Sequence, residues 1–121
     1  MISYVTIGVQ DLEKAGKFYD AVLAVAGAKR AMQADRYVAW AGAKGGPMVM
    51  IMKPFDGKPA TVGNGTMIAL AASSKEMVDA IHKKALEMGG KDEGAPGARG
   101  PNLYAGYFRD IDGNKLNAIC M

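Results

Sequence analysis

Two stretches of the chain share one design: YVTIGVQDLEKAGKFYDAVLAVAG at residues 4–27 and MIALAASSKEMVDAIHKKALEMGG at residues 67–90. Each opens with apolar and β-branched residues typical of a strand, continues with apolar residues at helical spacing, and ends at glycine. Aligning the two starts also aligns Phe18 with Ile81. A repeated unit that cannot bury its own sheet must pack against its copy. The sequence therefore predicts two βαβββ halves.

The residues around the two stretches complete each half. We predict helices at residues 12–26 and 75–88. Asp11 is suited to cap the first helix, and Ser73 with Glu76 has the S-x-x-E spacing of a capping box for the second. Further strands follow from alternating or β-branched runs and the turn residues that bound them, at residues 2–9, 29–33, 36–41, 47–53, 66–72, 104–109 and 115–120.

The length of 121 residues suits one domain, residues 1–121, made of modules at about 1–57 and 64–121. The Pro- and Gly-rich segment PFDGKPATVGNG, residues 54–65, reads as the linker between them. A second segment rich in Gly and Pro, residues 94–101, reads as a loop. Asp112, Gly113 and Asn114 are typical of the turn before the last strand.

The composition indicates an ordinary globular protein, with 50% hydrophobic and 22% charged residues. No apolar run reaches the roughly 20 residues of a membrane span, and the first residues alternate like a strand, unlike a signal peptide. The single cysteine, Cys120, excludes an internal disulfide. We therefore expect a cytoplasmic protein. The net charge of +3 comes from basic residues interspersed with acidic ones, so nucleic-acid binding is not expected.

Three motifs resemble one known superfamily when they are taken in order. They are VTIGVQDLEKAGKFYDAVL at residues 5–23, GNGTMIALAASSKEMVDAIHKKALEMGGKDEGAPGARG at 63–100 and YAGYFRDIDGNKL at 104–116. They are similar to the first strand and helix, the second-half opening and the closing hairpin of the vicinal oxygen chelate superfamily. This superfamily includes glyoxalase I, bleomycin resistance proteins, extradiol dioxygenases and fosfomycin-resistance transferases. The resemblance implies an α+β fold whose eight strands form an open, barrel-like cup with the helices outside.

The resemblance also implies where a metal would be held. Members of the superfamily place one ligand on the first and last strand of each half, usually His at the first and third positions and Glu or His at the others. The matching residues here are Tyr4, Met50, Met67 and Asn117. Zn²⁺, Ni²⁺, Mn²⁺ and Fe²⁺ require imidazole, carboxylate or thiolate ligands, so we predict a degenerate site with no metal cofactor.

The position of Asn117 also bears on catalysis. In glyoxalase-like members the matching glutamate takes part in proton transfer, and an amide cannot accept a proton near neutral pH. The metal and the general base are therefore both missing from the matching positions, and whether any catalysis occurs stays open.

These replacements favour a metal-independent protein that binds a small molecule in the cup. Strand alternation directs the four matching residues and Lys115 into the cup, and we expect three aromatic residues to close it: Trp40, Tyr104 and Tyr107. Bleomycin-type binders capture cationic drugs with acidic surfaces, whereas this predicted cup has no acidic residue. A neutral or anionic ligand is therefore expected, and the superfamily makes a homodimer the expected assembly.

Two enzymatic alternatives remain. The first is a metal-dependent glyoxalase-type lyase, isomerase or dioxygenase whose ligands lie at other positions. The second is an enzyme without metal that uses Tyr4 as acid or base, which would require strong tuning of a pKa near ~10. We expect no such role for His82, an exposed or capping residue of the second helix, or for Cys120, a buried thiol. The two halves could close one cup within the chain or exchange between subunits.

Overall fold

A computed structural model describes all residues, 1–121, and contains both predicted halves. Each half runs strand, helix, strand, strand, strand. The elements are β1 Tyr4–Gly8, α1 Leu12–Val25, β2 Ala28–Ala34, β3 Tyr37–Gly42, β4 Met48–Met52, β5 Ile68–Ala71, α2 Lys75–Glu87, β6 Lys91–Ala98, β7 Tyr104–Arg109 and β8 Lys115–Cys120.

The strands form two four-stranded sheets with the same topology. The first has the order β1-β4-β3-β2 and the second the order β5-β8-β7-β6. In each sheet the first and last strands of the half are parallel neighbours, and the remaining pairs are antiparallel. Neither sheet is closed, so β1 and β2 are the edge strands of the first sheet, and β5 and β6 are those of the second. The α+β fold of two βαβββ modules is confirmed.

Helix α1 begins as predicted. The Asp11 carboxylate accepts a 3.0 Å hydrogen bond from the Lys14 amide, one of the donors that a helix N-terminus leaves unpaired. The apolar face of the helix is fully buried at Ala15, Phe18, Tyr19, Val22 and Leu23.

Helix α2 is capped one residue later than predicted. The Ser74 hydroxyl, rather than that of Ser73, accepts the 3.1 Å hydrogen bond from the Met77 amide. Only Ser73 has glutamate three residues on, so the S-x-x-E spacing pointed to the wrong one of two consecutive serines. The helix ends before Gly89, and the next residue, Gly90, lies where a Cβ atom would come within 2.6 Å of the Arg109 carbonyl oxygen. Only glycine allows this close approach of helix end and sheet.

The segment predicted as a loop at residues 94–101 mostly belongs to strand β6. Its pairing with β7 is interrupted twice, between Asp92 and Gly94 and again between Gly94 and Gly97. Bulges insert unpaired residues and bend a strand, and they accommodate the glycine and proline that led us to expect a loop.

One hydrophobic core joins the two halves. It is formed by both helices and by the helix-facing side of both sheets. Each helix packs on its own sheet and on the other helix, whereas no strand of one sheet has Cα atoms within 8 Å of a strand of the other. The helices therefore lie between the sheets, and the opposite side of each sheet, here called its cup face, points away from the core. Neither helix is long and apolar enough to cross a membrane.

Buried polar contacts also connect the halves. The Tyr19 hydroxyl on α1 donates to Asp110 Oδ2 at 2.6 Å, and the Asn114 side-chain amide donates to the Gly8 carbonyl at 3.0 Å. The other Asp110 oxygen accepts from the Asp112 and Asn114 amides and shapes the turn before β8. The turn residues recognised in the sequence thus also hold the modules together.

Candidate functional site

The cup face of the first sheet is rich in methionine. Thr6 pairs with Met50 across the parallel β1–β4 ladder, and alternation places Tyr4, Met48 and Met52 on the same face. Tyr4 is 51% exposed and Met50 is 7% exposed. No side chain forms a hydrogen bond with the Tyr4 hydroxyl.

The cup face of the second sheet carries an unsatisfied amide. Asn117 lies between Ala69 and Tyr107 in the sheet register, and alternation places Met67 on the same face. Asn117 is 1% exposed, and its Oδ1 atom has no hydrogen-bond partner. Buried polar atoms are normally paired, so this oxygen is a candidate contact for a ligand.

Basic residues surround Tyr107 on this second face. The Lys115 ammonium and the Arg99 guanidinium each lie 5.6 Å from the centre of its ring. Arg109, two residues from Tyr107 on β7, is paired with Glu93 at 3.3 Å, as expected for a salt bridge. Lys115 was recognised from strand parity, whereas Arg99 was missed because β6 was read as a loop.

Trp40 and Tyr104 do not close the cup. Both lie on the helix-facing side of their sheets, opposite to the side on which we expected them. The Trp40 indole nitrogen donates to Asp20 of α1 at 2.9 Å, and the Tyr104 hydroxyl donates to Asp79 of α2 at 2.7 Å. Trp40 pairs with Val49, a helix-facing residue, so the strand register already separates it from Met50.

His82 is buried, not exposed. Its Nε2 atom lies 3.0 Å from Asp92 Oδ1 and 3.2 Å from the Tyr107 carbonyl oxygen. The Asp92 carboxylate also accepts from the Gly94 amide, and these contacts lower its pKa below the ordinary value. The buried residues Val78, Ile81, His82 and Ala85 have the spacing of one helix face, which could have indicated this burial.

Cys120 is partly buried and, like its neighbour Tyr104, faces the helix.

The four positions matched to the superfamily's metal ligands form two pairs. Tyr4 and Met50 share the cup face of the first sheet, and Met67 and Asn117 share that of the second. Because the sheets do not approach each other, the structure does not bring all four together within one chain.

An apolar groove of about 520 Å³ lies between the edge strands β1 and β5. Of its 16 lining residues, 13 are hydrophobic, and they come from both edges, including Ile2, Val5, Met67 and Ile68. The groove therefore joins the edges of β1 and β5 into one continuous apolar surface.

A polar cleft lies beside Lys115, under the linker between the modules. Thr61, Val62, Gly63 and Thr66 line one side, and Thr6, Asn114 and Lys115 line the other. The amides of Gly63, Asn64 and Gly65 donate no hydrogen bond within the chain. The lining of the cleft thus includes the Gly63 amide, three threonine hydroxyls and the Lys115 ammonium, and no carboxylate, while Asn64 and Gly65 line an adjoining cleft that also includes Lys115.

The residues at the matched positions do not fit a metal ion. A phenol, two thioethers and a neutral amide supply none of the imidazole, carboxylate or thiolate ligands that Zn²⁺, Ni²⁺, Mn²⁺ or Fe²⁺ requires. Elsewhere in the chain, no three His, Cys, Asp or Glu side chains lie close enough together to hold one.

Comparison with known proteins identifies the family to which this fold belongs. The family model of the glyoxalase/bleomycin resistance protein/dioxygenase superfamily matches residues 1–118. The chain belongs to this superfamily. A crystal structure of a glyoxalase/bleomycin resistance protein from Albidiferax ferrireducens has 38% sequence identity and a TM-score of 0.93, over 100% of this chain and 98% of that chain. The resemblance recognised in the three motifs is therefore confirmed.

More distant members of the superfamily share the fold. A glyoxalase-related enzyme from Fulvimarina pelagi has 17% identity and a TM-score of 0.80, over 100% of this chain and 88% of that one. A lactoylglutathione lyase from Agrobacterium tumefaciens has 19% identity and a TM-score of 0.73, over 99% and 92% of the two chains. No curated protein matches the chain.

Proposed function

We propose that the protein binds a small organic molecule on its cup faces without the metal ion of its superfamily. The observation that carries this proposal is the chemistry of Tyr4, Met50, Met67 and Asn117, the residues at the metal-ligand positions. All four are uncharged and none is an imidazole. A lyase, isomerase or dioxygenase of the glyoxalase kind would need both a metal and a base at these positions.

The cup faces have the mixed character of ligand sites. Met48, Met50 and Met52 supply adaptable apolar surface, because methionine has an unbranched, polarisable side chain that fits varied shapes. Tyr4 and Asn117 add a few directed hydrogen-bonding groups that would fix the orientation of a ligand.

Elemental analysis tests the metal-free part of this proposal. Protein purified without a histidine tag and dialysed against Zn²⁺ or Ni²⁺ should retain far less than one ion per chain. About one ion per chain, lost on replacing Tyr4, Met50, Met67 or Asn117 with alanine, would contradict the proposal.

We also propose that the protein is a homodimer whose subunits meet at the edge strands β1 and β5. Residues 1–9 and 66–72, which contain β1 and β5, have no charged side chain. Exposed edge strands are normally protected by charges, proline or bulges, because their unpaired backbone groups invite pairing with another strand. An uncharged edge next to an apolar groove is a surface suited to burial.

A second copy of the chain fits this surface better than another partner. The groove presents β1 and β5 side by side, so a two-fold axis through it would place β1 of each subunit against β5 of the other. The cup face with Tyr4 and Met50 would then adjoin that with Met67 and Asn117 of a second chain. The four positions would be united in a cup shared by two subunits.

A further inference from the structure

The two polar residues of β8 on the cup face, Lys115 and Asn117, set the distance between two contacts for a ligand. Lys115 and Asn117 are two residues apart on one strand, so their side chains point to the same side roughly 6.5–7 Å apart. The Tyr107 ring lies beside both, since Tyr107 pairs with Asn117 and its ring centre is 5.6 Å from the Lys115 ammonium. These three side chains form a row of cation, aromatic ring and unpaired carbonyl oxygen.

We propose that the ligand is an anion that also carries a hydrogen-bond donor, with its acidic group at Lys115 and its donor at Asn117 Oδ1. This assignment rests on the proposed function. The ligand is a small carboxylate, or another singly charged acid, whose hydroxyl or amino group lies about the length of one aromatic ring from the acidic group. The body of the molecule stacks on Tyr107 and contacts Met67 on the same cup face.

The evidence at the anionic end is an excess of unpaired positive charge. Lys115 and Arg99 form no salt bridge, whereas Arg109 is paired with Glu93. Two adjoining clefts that Lys115 lines add the amides of Gly63, Asn64 and Gly65, which donate no hydrogen bond within the chain, and threonine hydroxyls. A cation with surrounding N–H and O–H donors is suited to a carboxylate, since charge-assisted hydrogen bonds are about twice as strong as neutral ones.

The evidence at the other end is the unsatisfied oxygen of Asn117. Leaving a buried carbonyl unpaired costs free energy, so a ligand donor that reached Oδ1 would recover a hydrogen bond that the free chain lacks. A ligand without a donor would leave the oxygen unpaired and bind more weakly.

Three related compounds test the two ends separately. Para-hydroxybenzoate has both the acid and the donor; its methyl ester lacks the charge, and para-methoxybenzoate lacks the donor. Binding is followed on the intact protein by NMR of isotope-labelled methionine methyl groups, with Met50 and Met67 assigned by substitution with leucine. We expect para-hydroxybenzoate to bind at least about tenfold more tightly than either relative.

Substitutions assign each preference to its residue. Lys115→Gln should remove the advantage of the acid over the ester, Lys115→Arg should keep it, and Asn117→Leu should remove the advantage of hydroxyl over methoxy. Lys83→Gln, at an exposed position of α2, is the control for a general charge effect. Equal binding of acid and ester, or preferences unchanged by Lys115→Gln and Asn117→Leu, would overturn the inference but leave cup binding intact. If no compound shifts the signals of Met50 or Met67, the inference is wrong, whereas the proposed function is tested separately by the elemental analysis.

Discussion

The Tyr19 hydroxyl, on the first helix, donates a 2.6 Å hydrogen bond to the Asp110 carboxylate, at the end of β7 in the other half of the chain. Both residues are buried, at 0% and 3% exposure. Asp110 also accepts hydrogen bonds from the turn before β8. The contact therefore couples the packing of the two modules to the turn that starts the last strand.

Removing this hydroxyl should destabilise the whole protein. Tyr19→Phe leaves a buried carboxylate oxygen with one partner fewer, and we expect the free energy of unfolding to fall by about 1–3 kcal/mol. Urea denaturation followed by circular dichroism measures the loss. Tyr104→Phe is the matched control, because it removes a hydroxyl bonded to Asp79 at the surface and should cost less. Equal losses would show that the buried Tyr19 hydrogen bond stabilises the protein no more than the exposed Tyr104 hydrogen bond does.

The same contact predicts a dependence on alkaline pH. Burial, and then the nearby Asp110 charge, raise the pKa of Tyr19 well above its ordinary value near ~10. The unfolded chain thus loses this proton before the folded chain does. The stability from protonated Tyr19 is complete below about pH 10 and declines as the pH rises further. Denaturation midpoints measured from neutral pH to above about pH 10 should decline less steeply with pH in Tyr19→Phe than in the native protein. Parallel profiles would refute the assignment of this pH dependence to Tyr19.

Trp40 should report on the core but not on the cup. It is the only tryptophan, it is 2% exposed, and it contacts Asp20 and Tyr19 on the helix side of the first sheet. We expect a blue-shifted emission that acrylamide quenches poorly and that a cup ligand leaves unchanged. Introducing Tyr107→Trp into a Trp40→Phe background should create an emission that responds to the same ligand. A strong ligand response from Trp40 itself would contradict the assigned face.

A charge on the edge of β5 should dissociate the proposed dimer. Ala69→Lys places an ammonium on the exposed, uncharged edge strand, where pairing with another subunit would bury it. Light scattering coupled to gel filtration should then give the mass of one chain, whereas the native protein gives twice that mass. Ala80→Lys, at an exposed position of α2, is the control and should stay dimeric. A native protein that elutes as a monomer at high concentration would contradict the proposal directly.

The sequence predicts local structure well because its signals are local. The apolar spacing of the helices, the Asp11 cap and the β-branched strands each specify one element within a few residues. Strand β6 was missed for the same reason: its glycines and proline resemble a loop, and only pairing with β7 makes it a strand. His82 was expected to be exposed although its spacing from Val78 and Ile81 matches the buried face.

The site was harder to predict because it depends on long-range geometry. Parity within a strand placed Tyr4, Met50 and Asn117 on the cup faces, as the sheet registers show. Parity could not place Trp40 and Tyr104, because their side depends on which residue of the neighbouring strand each one pairs with. No local sequence pattern indicates whether the cup faces of two modules with the same topology face each other or point in opposite directions.

Mixing two variants should establish whether the cup is shared between subunits. One variant carries Tyr4→His and Met50→Glu, and the other carries Met67→His and Asn117→Glu, so each has half of the superfamily's ligand set. In a shared cup, only a heterodimer unites four ligands. We expect neither variant alone to bind Zn²⁺ tightly, whereas a mixture unfolded and refolded together should bind about one ion per heterodimer.

The variant carrying all four substitutions is the control for this experiment, because it completes the ligand set under either arrangement. It should be destabilised without metal, since two carboxylates in an apolar cup are costly unless a cation neutralises them, and Zn²⁺ should restore its stability. If the fourfold variant binds Zn²⁺ tightly and the refolded mixture does not, the four positions meet within one chain. If the mixture binds and its parents do not, each cup draws one sheet from each of two subunits.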